Sequence, residues 1–262
     1  KRTWLPPIVA GRWSGTMNLT EPHCGTDLGL LRTRAEPQAD GSYRVYGTKM
    51  WISGAEHEMT ENIVNLVLAK IPGGPAGTKG ISLFIVPKFI PDAAGKPGQR
   101  NDVYCASIEE KLGINASPTC VMSYGDNGEC IGELVGAPNR GLEYMFAMMN
   151  HARLNVGLQG LAIAERAFQQ ARAYARERKQ GNPVGWTDGP VGIVEHPDVR
   201  RMLMSMKSRI EAMRGLLYEV AAAHDLAHAH PDPEVRAAAE RKVELLTPFA
   251  KGWCTETGIE LA

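Results

Sequence analysis

What the sequence lacks first is an excess of charge of either sign: Lys and Arg together number 29, and so do Asp and Glu. A balanced chain offers no basic field to DNA, RNA or an anionic membrane, although a local patch stays possible. Cysteine is sparse and without pattern. Cys24, Cys105, Cys120, Cys130 and Cys254 are odd in number, scattered, and include no Cys-x-x-Cys pair. Reduced thiols in a cytosolic protein fit this usage better than a disulfide framework does. No apolar run approaches the roughly 18 residues of a transmembrane helix, and no signal peptide opens the chain. Residue 1 is Lys, and "KRTWLPPIVAGRW" enters as if mid-sequence; the chain is expected to be trimmed at its front. "GGPAGTKG" (73–80) has no Gly-Lys-Ser/Thr and no helix start after it, so it reads as a hairpin loop rather than a phosphate loop. No Gly-x-Ser-x-Gly elbow occurs, and nothing in one dimension selects a nucleophilic Cys–His pair. There is no internal repeat and no low-complexity tract.

What is present divides in two. "GLLRTRAEP", a turn at Asp40-Gly41 and "SYRVYGTKMWIS" (42–53) suggest an antiparallel hairpin, the second arm partly alternating apolar and polar side chains. "NIVNLVLAKI" (62–71) and "GISLFIVPK" (80–88) look like buried strands, and "PTCVMSY" (118–124) and "IGELV" (131–135) continue the pattern. Five or six short strands with Gly/Pro turns and no intervening helices predict a small barrel or sandwich. Near residue 136 the period changes. Leu142, Met145, Met149, Ala152 and Val156 step by 3 and 4, while Leu154, Leu158 and Leu161 mark a second apolar face. A helix over about 140–178 with two apolar faces is expected inside a bundle. "GNPVGWTDGPVG" (181–192) ends it. A second helix is expected from Pro197 to about Ala229, and a third with Pro233 near its first position. The fold class is therefore α+β, with a β domain over 1–136 and part of a helical bundle over 137–262.

Two segments carry candidate chemistry. "HDLAHAH" (224–230) puts His224 and His228 at i and i+4 on one helix, a spacing that can hold Zn²⁺. Asp225 is a methylene shorter than the Glu of a metalloprotease, and imidazoles at a helix end also complement its dipole, so no metal is assigned. "GTMNLTEPHCGTDLG" (15–29) combines the hydroxyls of Thr16, Thr20 and Thr26, a rigid Glu21-Pro22 step, and Gly25 before Thr26 and Asp27. Such loops suit phosphate or the edge of a heterocycle. About 20 residues later "GTKMWISG" (47–54) offers the indole of Trp51 beside the hydroxyl of Ser53. Taken singly, a loop closed by its own hydrogen bonds and a core Trp at a strand end explain the two segments as well.

Together they resemble the flavin-binding signatures of the acyl-CoA dehydrogenase family, Thr-Glu-Pro-x-x-Gly-Ser-Asp and Lys-x-Trp-Ile-Thr/Ser. Here these stand as Thr20-Glu21-Pro22-His23-Cys24-Gly25-Thr26-Asp27 and Lys49-Met50-Trp51-Ile52-Ser53. Arg153 and "ARERKQG", which contains Arg178-Lys179, match further in family order, and the resemblance runs over essentially the whole chain. "MNLTEPHCGTDLG", "GISLFIVPKF", "EEKLGINASPTCVM" and "MMNHARLNVGLQG" are most similar to the bacterial branch that includes 3-methylmercaptopropionyl-CoA dehydrogenase. The resemblance implies an FAD cofactor, with Met17, Asn18, Leu19 and Thr20 lining the flavin ring and Gly25 and Thr26 serving its pyrophosphate or the CoA arm. Trp51, Ile52 and Ser53 would stand against the isoalloxazine, Asn150 and Arg153 would hold the acyl-CoA substrate, with Thr26, and Arg178 would reach the FAD of a neighbouring subunit. It also implies a homodimer or homotetramer, an electron-transfer flavoprotein as acceptor, no nucleic-acid partner, no membrane span, and a bacterial cytoplasmic location. The reaction implied is α,β-dehydrogenation: a carboxylate takes the α-proton while hydride leaves the β-carbon for the flavin, with the thioester carbonyl polarised by hydrogen bonds.

The chain departs from the family at both ends. The family's N-terminal helical domain is missing, and "TGIELA" stops before the Glu that serves as base, so the base is expected downstream of Ala262 and the chain reads as a fragment. An acyl-CoA oxidase and a DNA-binding relative share this fold. The absence of net charge speaks against the second.

Overall fold

The computed structural model describes residues 3–262. The chain forms two compact units, divided between Phe146 and Ala147. In chain order the elements are α1 (Leu5–Val9), β1 (Trp13–Asn18), β2 (Arg34–Pro37), β3 (Tyr43–Ser53), β4 (Asn62–Lys70), β5 (Ile81–Pro87), β6 (Phe89–Pro91), β7 (Pro97–Arg100), β8 (Val103–Ile108), β9 (Thr119–Tyr124), β10 (Ile131–Leu134), α2 (Gly141–Glu177), α3 (Pro197–Ala229) and α4 (Pro233–Leu261).

The expected β2–β3 and β4–β5 hairpins are both present and antiparallel. Pairing then closes on itself: β4 to β5, β5 to β10, β10 to β3, β3 to β2, and β2 back to β4 through Arg34 and Lys70. That circuit makes a small barrel, and the edges left to the extended sheet are those of β1 and β8. β9 and β8 extend β3, β1 lies parallel to β4, and β6 pairs with β7. Inside sit Val45, Val67, Phe84, Met122 and Tyr124, none more than 1% exposed. Four strands escape the alternation rule. β1 is half of the motif that reads as a loop, and β6, β7 and β8 are short or rich in Pro, Gly and polar residues, so pairing rather than pattern defines them. Buried asparagines satisfy backbone groups that water does not reach. Asn62 accepts from the Ile63 and Phe89 amides and donates to the Phe89 carbonyl, and Asn101 bonds Pro87, Asp102 and Ile131. Asn18 and Asn65 belong to a chain of bonds described below.

In the second unit α2 continues beside α3 and α4. Leu161, Ala164 and Phe168 of α2 pack with Ile210, Met213, Leu217 and Val220 of α3 and with Ala250 and Cys254 of α4. The α3–α4 turn closes as its residues require: Asp232 caps α4 by accepting from the Glu234 amide at 2.8 Å, Pro233 starts the helix without needing a donor, and the Arg236 guanidinium donates to the His230 and Pro231 carbonyls. The expectation that both apolar faces of α2 lie inside a bundle needs correction. Three helices cover one face only, and Val156, Leu158 and Ile163 are exposed. The covered face is set by size: a Cβ on Gly160 would stand 2.4 Å from the Cys254 carbonyl oxygen, and one on Gly258 2.8 Å from the Gly160 carbonyl oxygen. No helix is long and apolar enough to cross a membrane among the described residues.

Two glycine substitutions should therefore have opposite signs. Gly160→Ala forces backbone against backbone and should cost about 1–3 kcal/mol. Gly215→Ala in α3, where a Cβ meets nothing within 4 Å, should stabilise by roughly 0.5–1 kcal/mol. Urea denaturation of both variants measures the difference, and a Gly160→Ala variant as stable as the parent would contradict the packing described.

Candidate functional site

The site grows from a charge that the barrel buries. In β3, Val45, Gly47 and Lys49 share one parity, and Val45 and Lys49 are both fully buried. An ammonium group there requires a partner. Glu21, also buried, supplies it at 2.8 Å. The same carboxylate accepts from the Thr33 hydroxyl at 2.5 Å and from the backbone amides of Arg32 and Thr33 at 2.8 and 3.0 Å. Burial pushes the Glu21 carboxyl up, but the Lys49 charge and these donors outweigh it and hold it below its ordinary value. Burial brings the Lys49 ammonium down to about 8 against the pull of Glu21, so the pair is charged at neutral pH.

This pair ties the two motifs into one surface. Lys49 also donates to the Leu19 carbonyl at 3.0 Å, and the Met50 amide donates to the Thr20 carbonyl at 3.0 Å. Glu21 and Cys24 exchange both backbone bonds across Pro22-His23, making the segment a tight turn. Asp27 then caps a short 3-10 turn by accepting from the Gly29 amide. One residue beyond the Met50 bond, β3 changes register against β9 between Lys49 and Ile52, and Trp51 takes a left-handed φ of 60°. A bulge of this kind exchanges the faces of a strand. Without it Trp51 would share the inward parity of Val45 and Lys49. With it Ile52 enters the core at 2% exposure and Trp51 stands 61% exposed, so the core-Trp alternative is excluded.

The other motif residues fall into two groups. Met17, Leu19 and Thr20 are half-buried at the end of β1 and just beyond, while Gly25, Thr26 and Ser53 are exposed. The hydroxyls of Thr20, Thr26 and Ser53 make no hydrogen bond within the protein among the described residues. Two expected site residues face inward instead. Asn18 is fully buried in a directed chain in which Tyr124 donates to Asn18 at 2.8 Å, Asn18 to Thr16 at 2.7 Å, Thr16 to Asn65 at 2.6 Å, and Asn65 to the Val86 carbonyl at 3.0 Å. Its side chain, like that of Ile52 in the apolar core, is turned away from solvent. In the second unit Asn150 and Arg153 are half-buried on α2, and Arg178 is exposed just beyond its end. The sequence reading assigned no role to Glu21 and Lys49. The available signal was the Lys at an inward-facing position of an alternating strand. All five thiols are free, and burial raises those of Cys24 and Cys130.

Comparison with known proteins adds a lineage to this geometry. Residues 16–126 match the model of the acyl-CoA dehydrogenase middle domain, and residues 139–262 match that of the acyl-CoA dehydrogenase C-terminal domain. The chain is 51% identical to 3-methylmercaptopropionyl-CoA dehydrogenase of Ruegeria pomeroyi, over 100% of this chain and 44% of that protein. It is 38% identical to a butyryl-CoA dehydrogenase of Syntrophomonas wolfei, over 98% of this chain and 43% of that one. The crystal structure of Caenorhabditis elegans ACDH-11 in complex with C11-CoA shares the fold, with a TM-score of 0.76 at 23% identity over 94% of this chain and 38% of that one. The chain thus spans less than half the length of these relatives.

Removing one partner of the buried pair should be more damaging than removing both. Lys49→Met leaves a buried carboxylate without its counter-charge and should cost about 3–5 kcal/mol, whereas Lys49→Met with Glu21→Gln should recover a large part of it. Because the folded Glu21 carboxyl lies below its unfolded value, its contribution is complete above about pH 4.3 and is lost as pH falls through the lower folded value. Urea midpoints against pH for the parent and the double variant read this directly. A Lys49→Met variant no less stable than the double variant would contradict the pairing.

Proposed function

The chain belongs to the acyl-CoA dehydrogenase family, and from that membership we propose that it is part of an FAD-dependent oxidoreductase that converts an acyl-CoA thioester to the trans-2-enoyl-CoA. The observation that carries the reading is the surface just described: an exposed indole on a left-handed bulge, fixed by backbone and ammonium bonds to a loop bearing free hydroxyls. An exposed apolar plane with an unpaired hydroxyl on its own strand, Ser53, and another on the loop bonded to it, Thr20, suits a flat heterocycle with polar edges, so the residues present fit a flavin.

Met17, Leu19 and Thr20 would line the ring, with the Thr20 hydroxyl at a polar edge. Trp51 would offer its face and Ser53 its hydroxyl, while Gly25 and Thr26 would serve the pyrophosphate or the CoA arm. Asn18 and Ile52, whose side chains face the core, would meet the cofactor through their backbone. When bound, FAD supplies the hydride acceptor. In the helical part, which we set at residues 137–262 against a β domain of 1–136, Asn150 and Arg153 would hold the pantetheine and CoA, and Arg178 the FAD of a neighbouring subunit. The intact enzyme is then a cytoplasmic homodimer or homotetramer that passes electrons to an electron-transfer flavoprotein.

Removal of the α-proton requires a base, which the reading sets downstream of Ala262. Ala152 stands immediately before Arg153, where some branches of the family carry a Glu, and a methyl group takes no proton. Glu143 and Glu165 are 10 and 12 residues from Arg153 on α2, roughly 15–18 Å along the axis. Each is already committed, Glu143 to Arg140 and Glu165 to Gln169 and Arg214. A base must come within about 3 Å of its proton, so neither substitutes.

Trp51→Ala and Thr20→Ala should each weaken FAD binding by about tenfold or more, the equivalent of about 1.4 kcal/mol, measured as flavin retained and as the shape of its visible band in the longer enzyme. Unchanged flavin content in both variants would contradict the placement. Anaerobic mixing of the FAD-loaded 262-residue chain with short-, medium- and long-chain acyl-CoAs should leave the flavin oxidised. Bleaching of its visible band would show that a base is present after all.

A further inference from the structure

The His-rich end of α3 gains from the tertiary structure a setting that its sequence does not contain. The rings of His224 and His228 are stacked with centroids 4.3 Å apart and planes at 21°. Nδ1 of His228 lies 2.9 Å from the His224 carbonyl oxygen. A carbonyl only accepts, so this nitrogen carries the proton and Nε2 of the neutral ring keeps its lone pair. A histidine whose second nitrogen donates to a backbone carbonyl is oriented as metal-ligating histidines are.

Both rings line a cavity of about 260 Å³ whose opposite wall is α4, with Glu240 and Glu244 at i and i+4. The two carboxylates and the His224 ring make no hydrogen bond or ion pair among the described residues. An i,i+4 histidine pair on one helix thus faces an i,i+4 glutamate pair on the next, four unused donors of nitrogen and oxygen around one space. A third imidazole, His151 of α2, has its ring 6.3 Å from that of His224.

A competing cluster fails on charge. The donor atoms of Glu21, His23 and Cys24 already lie within 4.8 Å of one another, closer than those of the α3–α4 pocket. Glu21, however, is occupied by Lys49, Thr33 and the Arg32 amide, and the buried ammonium 2.8 Å away repels a cation. At the α3–α4 pocket no Lys or Arg is among the lining residues, the two carboxylates balance a double charge, and both glutamate side chains are exposed, so that they can turn toward the rings.

We propose that His224, His228, Glu240 and Glu244 form a site for a divalent first-row transition ion of the zinc class, which imidazole and carboxylate together favour over Mg²⁺ or Ca²⁺. Bound there, the ion joins the end of α3 to α4 across the Pro231 turn. The site shares no residue with the flavin surface, and the titration below is made without acyl-CoA, so it is read separately from the CoA contact proposed for Asn150. Asn150 also borders the cavity but is not needed as a ligand.

The test uses tag-free protein stripped with a chelator and titrated with Co²⁺, whose visible absorption reports nitrogen and oxygen ligation. One Co²⁺ per chain is expected, displaced by Zn²⁺, with the melting temperature rising as either ion is added. His224→Gln and His228→Gln should each weaken binding by about 10–100-fold, at least the loss that follows removal of an outer-sphere partner, and circular dichroism checks their folding. In the parent protein, ¹⁵N resonances should show Zn²⁺ shifting Nε2 of His228 while Nδ1 keeps its proton, a readout that needs no variant. The proposal is overturned if no ion binds, if binding survives the His224→Gln/His228→Gln double variant, or if His23→Gln abolishes it instead.

Discussion

Everything that distinguishes this β domain from an ordinary small barrel depends on one buried ion pair. Taking the Lys49 ammonium and the Glu21 carboxylate out of water is costly, and their mutual attraction repays the cost only with near-complete hydrogen bonding. The structure meets that demand with Thr33, two backbone amides and the Leu19 carbonyl. Each of those bonds also fixes a piece of backbone. The 19–21 segment cannot drift from β3 without leaving a charge unpaired, so the pair contributes position rather than net stability.

From that fixed point the rest of the surface follows by geometry. The Met50–Thr20 backbone bond sets the loop against the strand, and the bulge one residue on reverses which side chains face out. Backbone strain at a non-glycine left-handed residue persists only where its surroundings over-determine it. Trp51 is held by Lys49 and Met50 before it and by Ile52 in the core after it. The directed chain from Tyr124 through Asn18, Thr16 and Asn65 secures β1 in the same way, with buried polar groups each given a partner. The dehydrogenase reading draws on this surface and on lineage together. Neither alone names an acyl chain.

The helical unit obeys a different constraint, closeness of backbones. Gly160 and Gly258 let α2 and α4 approach so closely that a Cβ at either position would run into a carbonyl oxygen of the facing helix, which fixes one face of α2 and leaves the other, with Val156 and Ile163, uncovered. The same three helices bring Glu240 and Glu244 opposite His224 and His228, a juxtaposition that follows from helix pairing and not from any local motif.

The sequence by itself determined the two-part organisation, the hairpins, the helix limits near Pro197 and Pro233, and the two motifs, because periodicity, turn residues and caps are local and act over a few residues. It also carried the family, since "TEPHCGTDLG" and "KMWISG" retain their order and spacing. Tertiary structure alone decided the closure of the barrel, the strands β1 and β6 to β8, the inward turn of Asn18 and Ile52, and the exposure of Trp51. The closure, β1, Asn18, Ile52 and Trp51 depend on partners dozens of residues away, and β6 to β8 on pairing rather than on a pattern of their own. A one-residue bulge reverses the parity of a strand without altering its hydrophobic pattern, and a charge such as Lys49 is seen to be buried only once the carboxylate that neutralises it has been brought to its side.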